Sequence, residues 1–369
     1  MGLKSLKSIA FLLSLTLLLI IPPLEKGWGE ERIEPVWTYP VEGNIGAVQS
    51  IPCISDGVVY FGTDSGYFYA LDAGNGKELW RYKALGKIRG VPLIIREKEK
   101  SSIYFATLGG YIYGLKSSGE NKFPPVRLDT EIVSTVVSDG KELYFATENK
   151  IYALNSLDGL FSNNWSKPKI DRISDGCWLV ATYDELYIGS NKGKLYAFKN
   201  ADGTPLREFV TYGEVDSAPW VKDGVLYVGS GDTNLYAINV SNFSKKWVFT
   251  QPKGEIHSSL WLSEGAAYFG CDDNKLYAVN ISDGRLKKGF TPYITGNAIR
   301  SSPLVWHNLV YFGSNDGRFY AIDKKTGALK SGWPYNTGGK VYSSPSLDWA
   351  NNRIIIGSDG GKLFAFPAE

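Results

Sequence analysis

Histidine, cysteine and methionine are scarce in this 369-residue chain, which has 2 His, 3 Cys and 1 Met. The two histidines, His257 and His307, lie far apart in sequence and give no basis for a histidine-based triad or a His-rich metal site. Cys53, Cys177 and Cys271 neither adjoin one another nor have metal-ligand spacing, there is no Cys-x-x-Cys-His haem site, and three cysteines cannot all pair internally. A surplus of one charge is also missing, since 40 Lys and Arg face 38 Asp and Glu. Lys4, Lys7 and Lys26 against Glu25 place the net +2 within residues 1–29, so the remainder is close to neutral. That excludes a global basic footprint for nucleic acid. Long apolar runs are absent as well: the one from Ile9 to Ile21 spans 13 residues, short of the roughly 20 that a membrane-crossing helix needs.

That run follows Lys4 and Lys7 and precedes Pro22-Pro23 and the small-x-small stretch Gly27-Trp28-Gly29. This is the pattern of a secretory signal. Residues 1–29 are expected to be a signal peptide removed on export, with retention as an N-terminal anchor the alternative. No Cys precedes Cys53, so a lipid-attachment cysteine at the cleavage site is not expected.

What the chain has in abundance is one phrase, written eight times: an aromatic pair, a small residue, a polar turn, then Tyr-Ala-aliphatic-Asp/Asn. It begins at Tyr60, Tyr104, Tyr144, Tyr187, Tyr227, Tyr268, Tyr311 and, more weakly, Ile355, in steps of 44, 40, 43, 40, 41, 43 and 44 residues. Each phrase reads as a β-hairpin, with Gly66, Gly110, Gly193, Gly317, Gly361, Asn274 or Thr233-Asn234 at the turn and a shorter turn at Glu148-Asn149-Lys150. A third strand with a Ser-x-Pro flavour precedes the hairpin (Ser217-Ala218-Pro219, Ser301-Ser302-Pro303, Ser343-Ser344-Pro345). A fourth follows with an aromatic, at Trp80, Trp165, Phe209, Trp247, Phe290 or Trp333; the second repeat is read as lacking one. A strand-built period of about 40 to 50 residues signals a propeller, and four strands make one blade. The sequence therefore predicts an all-β, eight-bladed β-propeller of four-stranded blades filling residues 30–369 as a single domain. The last hairpin has no outer strand after it. Val36-Trp37-Thr38-Tyr39 repeats the pattern of Leu79-Trp80-Arg81-Tyr82 and is expected to complete that blade and close the ring.

The segment Asp72-Ala73-Gly74-Asn75-Gly76-Lys77-Glu78-Leu79-Trp80, with looser versions at Asp323 to Gly327 and Asn280 to Gly284, resembles the repeat of pyrroloquinoline-quinone (PQQ) enzymes and their non-catalytic relatives. Among those relatives is the propeller lipoprotein of the outer-membrane assembly machinery. The resemblance implies a propeller that binds partner proteins through strand addition and surface loops. It also leaves open a PQQ/Ca²⁺-dependent dehydrogenase with an Asp as base, although no Cys pair and no insertion between blades support that here.

Recurring positions serve the fold, so a position that varies from blade to blade is free for function. Three residues before the Pro, or its counterpart, stand Gln49, Arg89, Val133, Ser174, Asp216, His257, Arg300 and Tyr342. Of these, Gln49, Arg89, Ser174, Asp216, His257, Arg300 and Tyr342 form a candidate ring for a ligand or partner at the channel, bound by charge-assisted hydrogen bonds; the plainer reading is a water-filled channel lining. Trp178, Trp220 and Trp261 read together as inter-blade core, His307 as an exposed loop residue, Cys53 and Cys177 as small core residues, and Cys271 as exposed in a turn. Acceptor patterns for glycosylation occur at Asn164, Asn239, Asn242 and Asn280. The expectation is an exported, non-catalytic module binding envelope or extracellular proteins or peptides, in the periplasm, at the cell surface or secreted. It would be a monomer, touching the membrane only through an uncleaved signal, with no catalytic residue, no metal and no cofactor. PQQ with Ca²⁺ and a surface glycan are the alternatives.

Overall fold

Every described element is a β-strand. The computed structural model describes residues 32–369 apart from 98–99, 164, 166–167, 169, 174–176 and 183; the signal segment, Ser174 and Asn164 lie outside the described residues. Eight sheets follow one another along the chain and close into an eight-bladed propeller. In the first blade, Cys53–Ser55, Val58–Gly62, Tyr67–Asp72 and Glu78–Lys83 pair antiparallel in that order, from the inner to the outer strand. Inner strands of neighbouring blades touch around the axis.

Successive strand residues face opposite sides of a sheet, so Tyr60 and Phe61 point to the two flanks of their blade. Both are almost fully buried, because neighbouring blades cover each flank. Across the hairpin Phe61 stacks on Tyr69 with ring centroids 5.2 Å apart, and Phe105–Tyr113, Phe269–Tyr277 and Phe312–Tyr320 repeat the pair at 5.0, 5.4 and 5.2 Å. Such pairs add about 0.5–1.5 kcal/mol each beyond the area they bury. The hairpin turns are left-handed where the sequence indicated: Gly66, Gly110, Gly193, Thr233, Asn274, Gly317 and Gly361 all have φ between 68° and 84°. The small residue of the phrase marks close approach between blades. A Cβ on Gly62 would lie 2.1 Å from the Ile88 side chain of the next blade's lead-in.

The outer strand is held by an aromatic laid over the following blade. Trp80 pairs with Ala70, covers Gly119 and donates its indole N–H to Ser117 O at 3.0 Å. Trp247 does the same over Ala237, Gly284 and Ile281 O at 2.9 Å. The second blade does carry its aromatic: Phe123 faces Gly114 and covers Gly159. It escapes the sequence pattern because the chain from Leu115 to its partner Asn121 is one residue shorter than that from Leu71 to Glu78, which brings the aromatic in early. In the fourth blade the residue opposite Ala197 is Arg207, paired with Glu185, while Phe209 lies two residues further on and packs edge-on to Tyr236.

Ring closure follows the expected strand. Trp37–Tyr39 pairs with Lys362–Pro367, and Trp37 faces Ala365 as Trp80 faces Ala70. Its indole donates to Ala73 O at 3.0 Å and its ring covers Gly76. In the third blade the ladder among the described residues has three strands, Val137–Ser138, Glu142–Thr147 and Lys150–Asn155, and the outer segment joins it through the isolated bridge Leu154 to Phe161 and the backbone bonds Ser162 N to Ala153 O and Ile170 N to Asn149 O.

Two expectations about single residues are corrected. Cys271 is fully buried, not exposed, because it occupies the position held in the other repeats by Thr63, Thr107, Thr147, Ser190, Ser230, Ser314 and Ser358, all buried beneath the turn. Trp220 and Trp261 pack together at 5.9 Å between blades. Trp178, however, precedes the strand Leu179–Ala181, whereas Trp220 opens its own strand, and it lines the channel instead of joining that pair.

Candidate functional site at the channel mouth

Six of the eight inner strands are introduced by a buried serine, Ser50, Ser134, Ser217, Ser258, Ser301 or Ser343, with Gly90 and Cys177 in its place in the second and fourth blades. The Ser217 hydroxyl bonds both the N–H and the C=O of Gly229, and Ser258 and Ser301 accept from Gly270 N and Gly313 N, both at 3.1 Å. One step outward, Ala218 N donates to Ser259 Oγ, Ser259 N to Ser302 Oγ and Ser302 N to Ser344 Oγ, at 2.8 to 3.1 Å. This belt fixes the residue just before each serine at the end of the channel where the hairpin turns lie. The alternation of the chain turns that residue's side chain away from the buried serine's.

Gln49, Arg89, Asp216, His257, Arg300 and Tyr342 converge there on a cavity of about 290 Å³, together with Ile51, Trp178, Ser302 and Ser344. Val133 instead turns into the core, 6% exposed. Trp178 is the residue the sequence missed. The fourth blade has Cys177-Trp178-Leu179 in place of Ser-x-Pro, and Cys177 Sγ reaches Gly189 O at 3.6 Å as Ser217 Oγ reaches Gly229 O. Aligning on that contact puts Trp178 beside Ala218, on the channel.

The ring side chains are held by acids from the hairpin turns, which the sequence reading also left out. Arg89 forks onto Asp64 through Nε at 3.0 Å and a terminal nitrogen at 2.9 Å, with Lys87 3.6 Å away. Arg300 forks onto Asp272 at 3.1 and 2.6 Å, and this bond raises its already high pKa. Gln49 donates to Asp359 at 3.1 Å; burial, only partly offset by that bond, raises the Asp359 pKa. His257 sits in the densest part. Its Nδ1 is 2.5 Å from Asp216 Oδ2, and its Nε2 is 2.7 Å from Glu255 Oε2 and 3.6 Å from Asp272 Oδ2. Burial pulls its pKa down, but the bond to Asp216 and the surrounding carboxylates outweigh that and lift it to about 9. Paired charges of this kind give a rigid, directional polar surface suited to hydrogen-bonded recognition.

Two overlapping stretches, residues 30–168 and 160–369, match the family described as outer membrane protein assembly factor BamB. The chain belongs to that family. Among curated BamB proteins, that of Yersinia pestis is 30% identical over 253 residues, 61% of this chain and 63% of the relative. That of Moranella endobia is 24% identical over 257 residues, covering 62% and 66%. The chain thus spans about two thirds or less of the length of the curated relatives it matches. Among solved structures, BamB from Moraxella catarrhalis superposes with a TM-score of 0.73 at 17% identity, over 91% of this chain and 99% of that one. Sqt1 from Saccharomyces cerevisiae gives 0.76 at 14%, over 92% and 100%. At such identities these superpositions speak for the fold alone.

Proposed function

We propose that this BamB-family chain is an exported, non-catalytic protein-binding module of the cell envelope, working among proteins concerned with outer-membrane assembly. The observation that carries this reading is the pair of family matches that together run through the whole propeller. The channel mouth supports it: Arg89, His257 and Arg300 are already engaged by Asp64, Asp216 and Asp272, and the polar rim around Tyr342 and Trp178 offers hydrogen bonds and aromatic surface to a partner segment. The same mouth does not fit a tricarboxylate quinone. Its cations are each held by an acid, and Asp359 and Glu255 add further negative charge. Ca²⁺, which takes six to eight oxygen ligands, is poorly served by a cluster centred on an imidazole.

The test is a photo-crosslinking residue placed at Gln49 or Tyr342 in the exported chain of its own host. Adducts with an outer-membrane assembly protein, lost in the Arg89→Ala/Arg300→Ala variant, are expected. Adducts unaffected by that variant would remove the mouth from the interface. Saturable PQQ binding in the presence of Ca²⁺, with dye reduction on adding alcohols or sugars, would overturn the non-catalytic reading.

A further inference from the structure

We propose that the channel mouth carries a site for a zinc-like divalent cation, held by His257 Nε2 and one carboxylate oxygen each from Glu255 and Asp272. These three ligand atoms lie within 4.8 Å of one another. Glu255 and His257 are two residues apart on the lead-in to the sixth blade, and Asp272 comes from that blade's own hairpin turn, so the propeller register brings them together. This is a set that spacing in the sequence did not disclose.

The cluster is oriented as a metal site is. Asp216 takes the Nδ1 side of the imidazole at 2.5 Å, which leaves Nε2 as the ring nitrogen facing Glu255 and Asp272. A carboxylate behind a ligating histidine fixes its tautomer and strengthens it as a donor. Asp272 is likewise fixed from behind by the Arg300 fork. A tetrahedral ion with bonds of about 2.0–2.2 Å separates its ligand atoms by roughly 3.4 Å. The present separations from Nε2, 2.7 Å to Glu255 and 3.6 Å to Asp272, bracket that value. The adjustment falls on Glu255, whose side chain is 55% exposed and free to swing out.

Charge points the same way by a separate route. Among the described residues no hydrogen-bond partner reaches Asp216 Oδ1, although that oxygen is fully buried. A metal on Nε2 takes the place of the proton that His257 otherwise holds there; the carboxylates of Asp216, Glu255 and Asp272 then face the guanidinium of Arg300 alone, which leaves two negative charges for the dication to neutralise. One nitrogen and two oxygens favour Zn²⁺ or a neighbouring first-row ion over Ca²⁺ or Mg²⁺, which prefer oxygen ligands only. Three protein ligands leave one position open.

The test is titration of ZnCl₂ into the full chain, freed of metal by a chelator, against a chromogenic zinc indicator. One zinc per chain, saturating at micromolar metal and undisturbed by millimolar CaCl₂, is expected. Glu255→Gln should weaken binding at least about tenfold and Asp216→Asn by about 10- to 100-fold, while His307→Gln leaves it unchanged. No saturable binding, equal displacement by CaCl₂, or wild-type affinity in Glu255→Gln would overturn the proposal. Glu255→Gln is decisive even if changes at His257 disturb folding, because its side chain faces solvent.

Discussion

The outer strand of the eighth blade comes from the far end of the chain, whereas that of the third blade follows its hairpin directly, yet the distant one is the better formed. Trp37–Tyr39 makes a continuous ladder with Lys362–Pro367, and its tryptophan donates to Ala73 and covers Gly76. In the third blade the described residues of the outer segment make separate backbone contacts in place of a continuous ladder, the bridge at Phe161 and the bonds Ser162 N to Ala153 O, Ile151 N to Pro168 O and Ile170 N to Asn149 O, and the Trp165 indole N–H, though buried, has no partner among the described residues. Chain continuity therefore does not decide whether a blade is complete. In the first, fifth and eighth blades a tryptophan opposite the alanine of the third strand reaches a carbonyl of the next blade; in the second and fourth, Phe123 and Arg207 hold the same place without that bond.

The largest break in this comparison is to remove the distant strand. Deleting residues 30 to 42 takes away the ladder to Lys362–Pro367 and the Trp37 anchor; truncating one buried Trp to Ala alone costs about 3–5 kcal/mol. The open third-strand edge that remains is also a site for wrong pairing. The truncated protein should therefore unfold at much lower temperature or aggregate, and an unchanged melting temperature would refute the closure. Next in size is Gly76→Ala. Gly76 has φ of 72°, and a Cβ there would lie 2.7 Å from the Trp37 ring. The expected cost is about 1–3 kcal/mol in urea unfolding; the same change at Gly57, where φ is 74° but nothing lies within 4 Å, should show the backbone part alone.

A smaller effect separates the two kinds of tryptophan. Trp247→Phe removes the bond to Ile281 O as well as ring area and should cost about 1–3 kcal/mol. Trp165→Phe removes an N–H that has no partner among the described residues, so part of the lost packing is regained and the net change should stay within about 1 kcal/mol. Equal losses in the two variants would show that packing alone, without the inter-blade hydrogen bond, holds outer strands.

The eight blades were legible because each hairpin is written locally, in the left-handed turn residue and the aromatic pair that stacks across it. Closure was legible because Val36-Trp37-Thr38-Tyr39 copies an outer strand. Phe123 was hidden because a connection one residue shorter than in the first blade moves the aromatic without changing its role. At the channel, counting back from proline or its counterpart found Gln49, Arg89, Asp216, His257, Arg300 and Tyr342, because the spacing to that residue is constant in those blades even where Gly90 replaces the serine. It lost Trp178, where cysteine and leucine replace serine and proline. It could not find Asp64, Asp272 or Asp359, because those acids belong to turns, and only the closed ring sets them against the side chains they hold.

Cys271 offers the finest test of how far the repeat fixes a residue. Its thiol meets Gly254 O at 3.2 Å, the counterpart of the Ser230 hydroxyl bonding Gly213 O at 3.2 Å and of Ser358 bonding Gly339 O at 3.2 Å. Burial raises its pKa to about 12, only partly opposed by the Asp273 backbone N–H that bonds its sulfur, and burial likewise raises Cys177 to about 12 and Cys53 to about 11. Thiolates are the reactive species, so the folded protein should react negligibly with a thiol reagent at neutral pH, and all three cysteines should react once it is unfolded. Cys271→Ser restores the hydroxyl of the other repeats within the same hydrogen-bond geometry, and the change in unfolding free energy should be below about 1 kcal/mol. Rapid labelling of folded protein, or a loss well beyond that figure, would mean that the sixth turn is built on different terms from its neighbours.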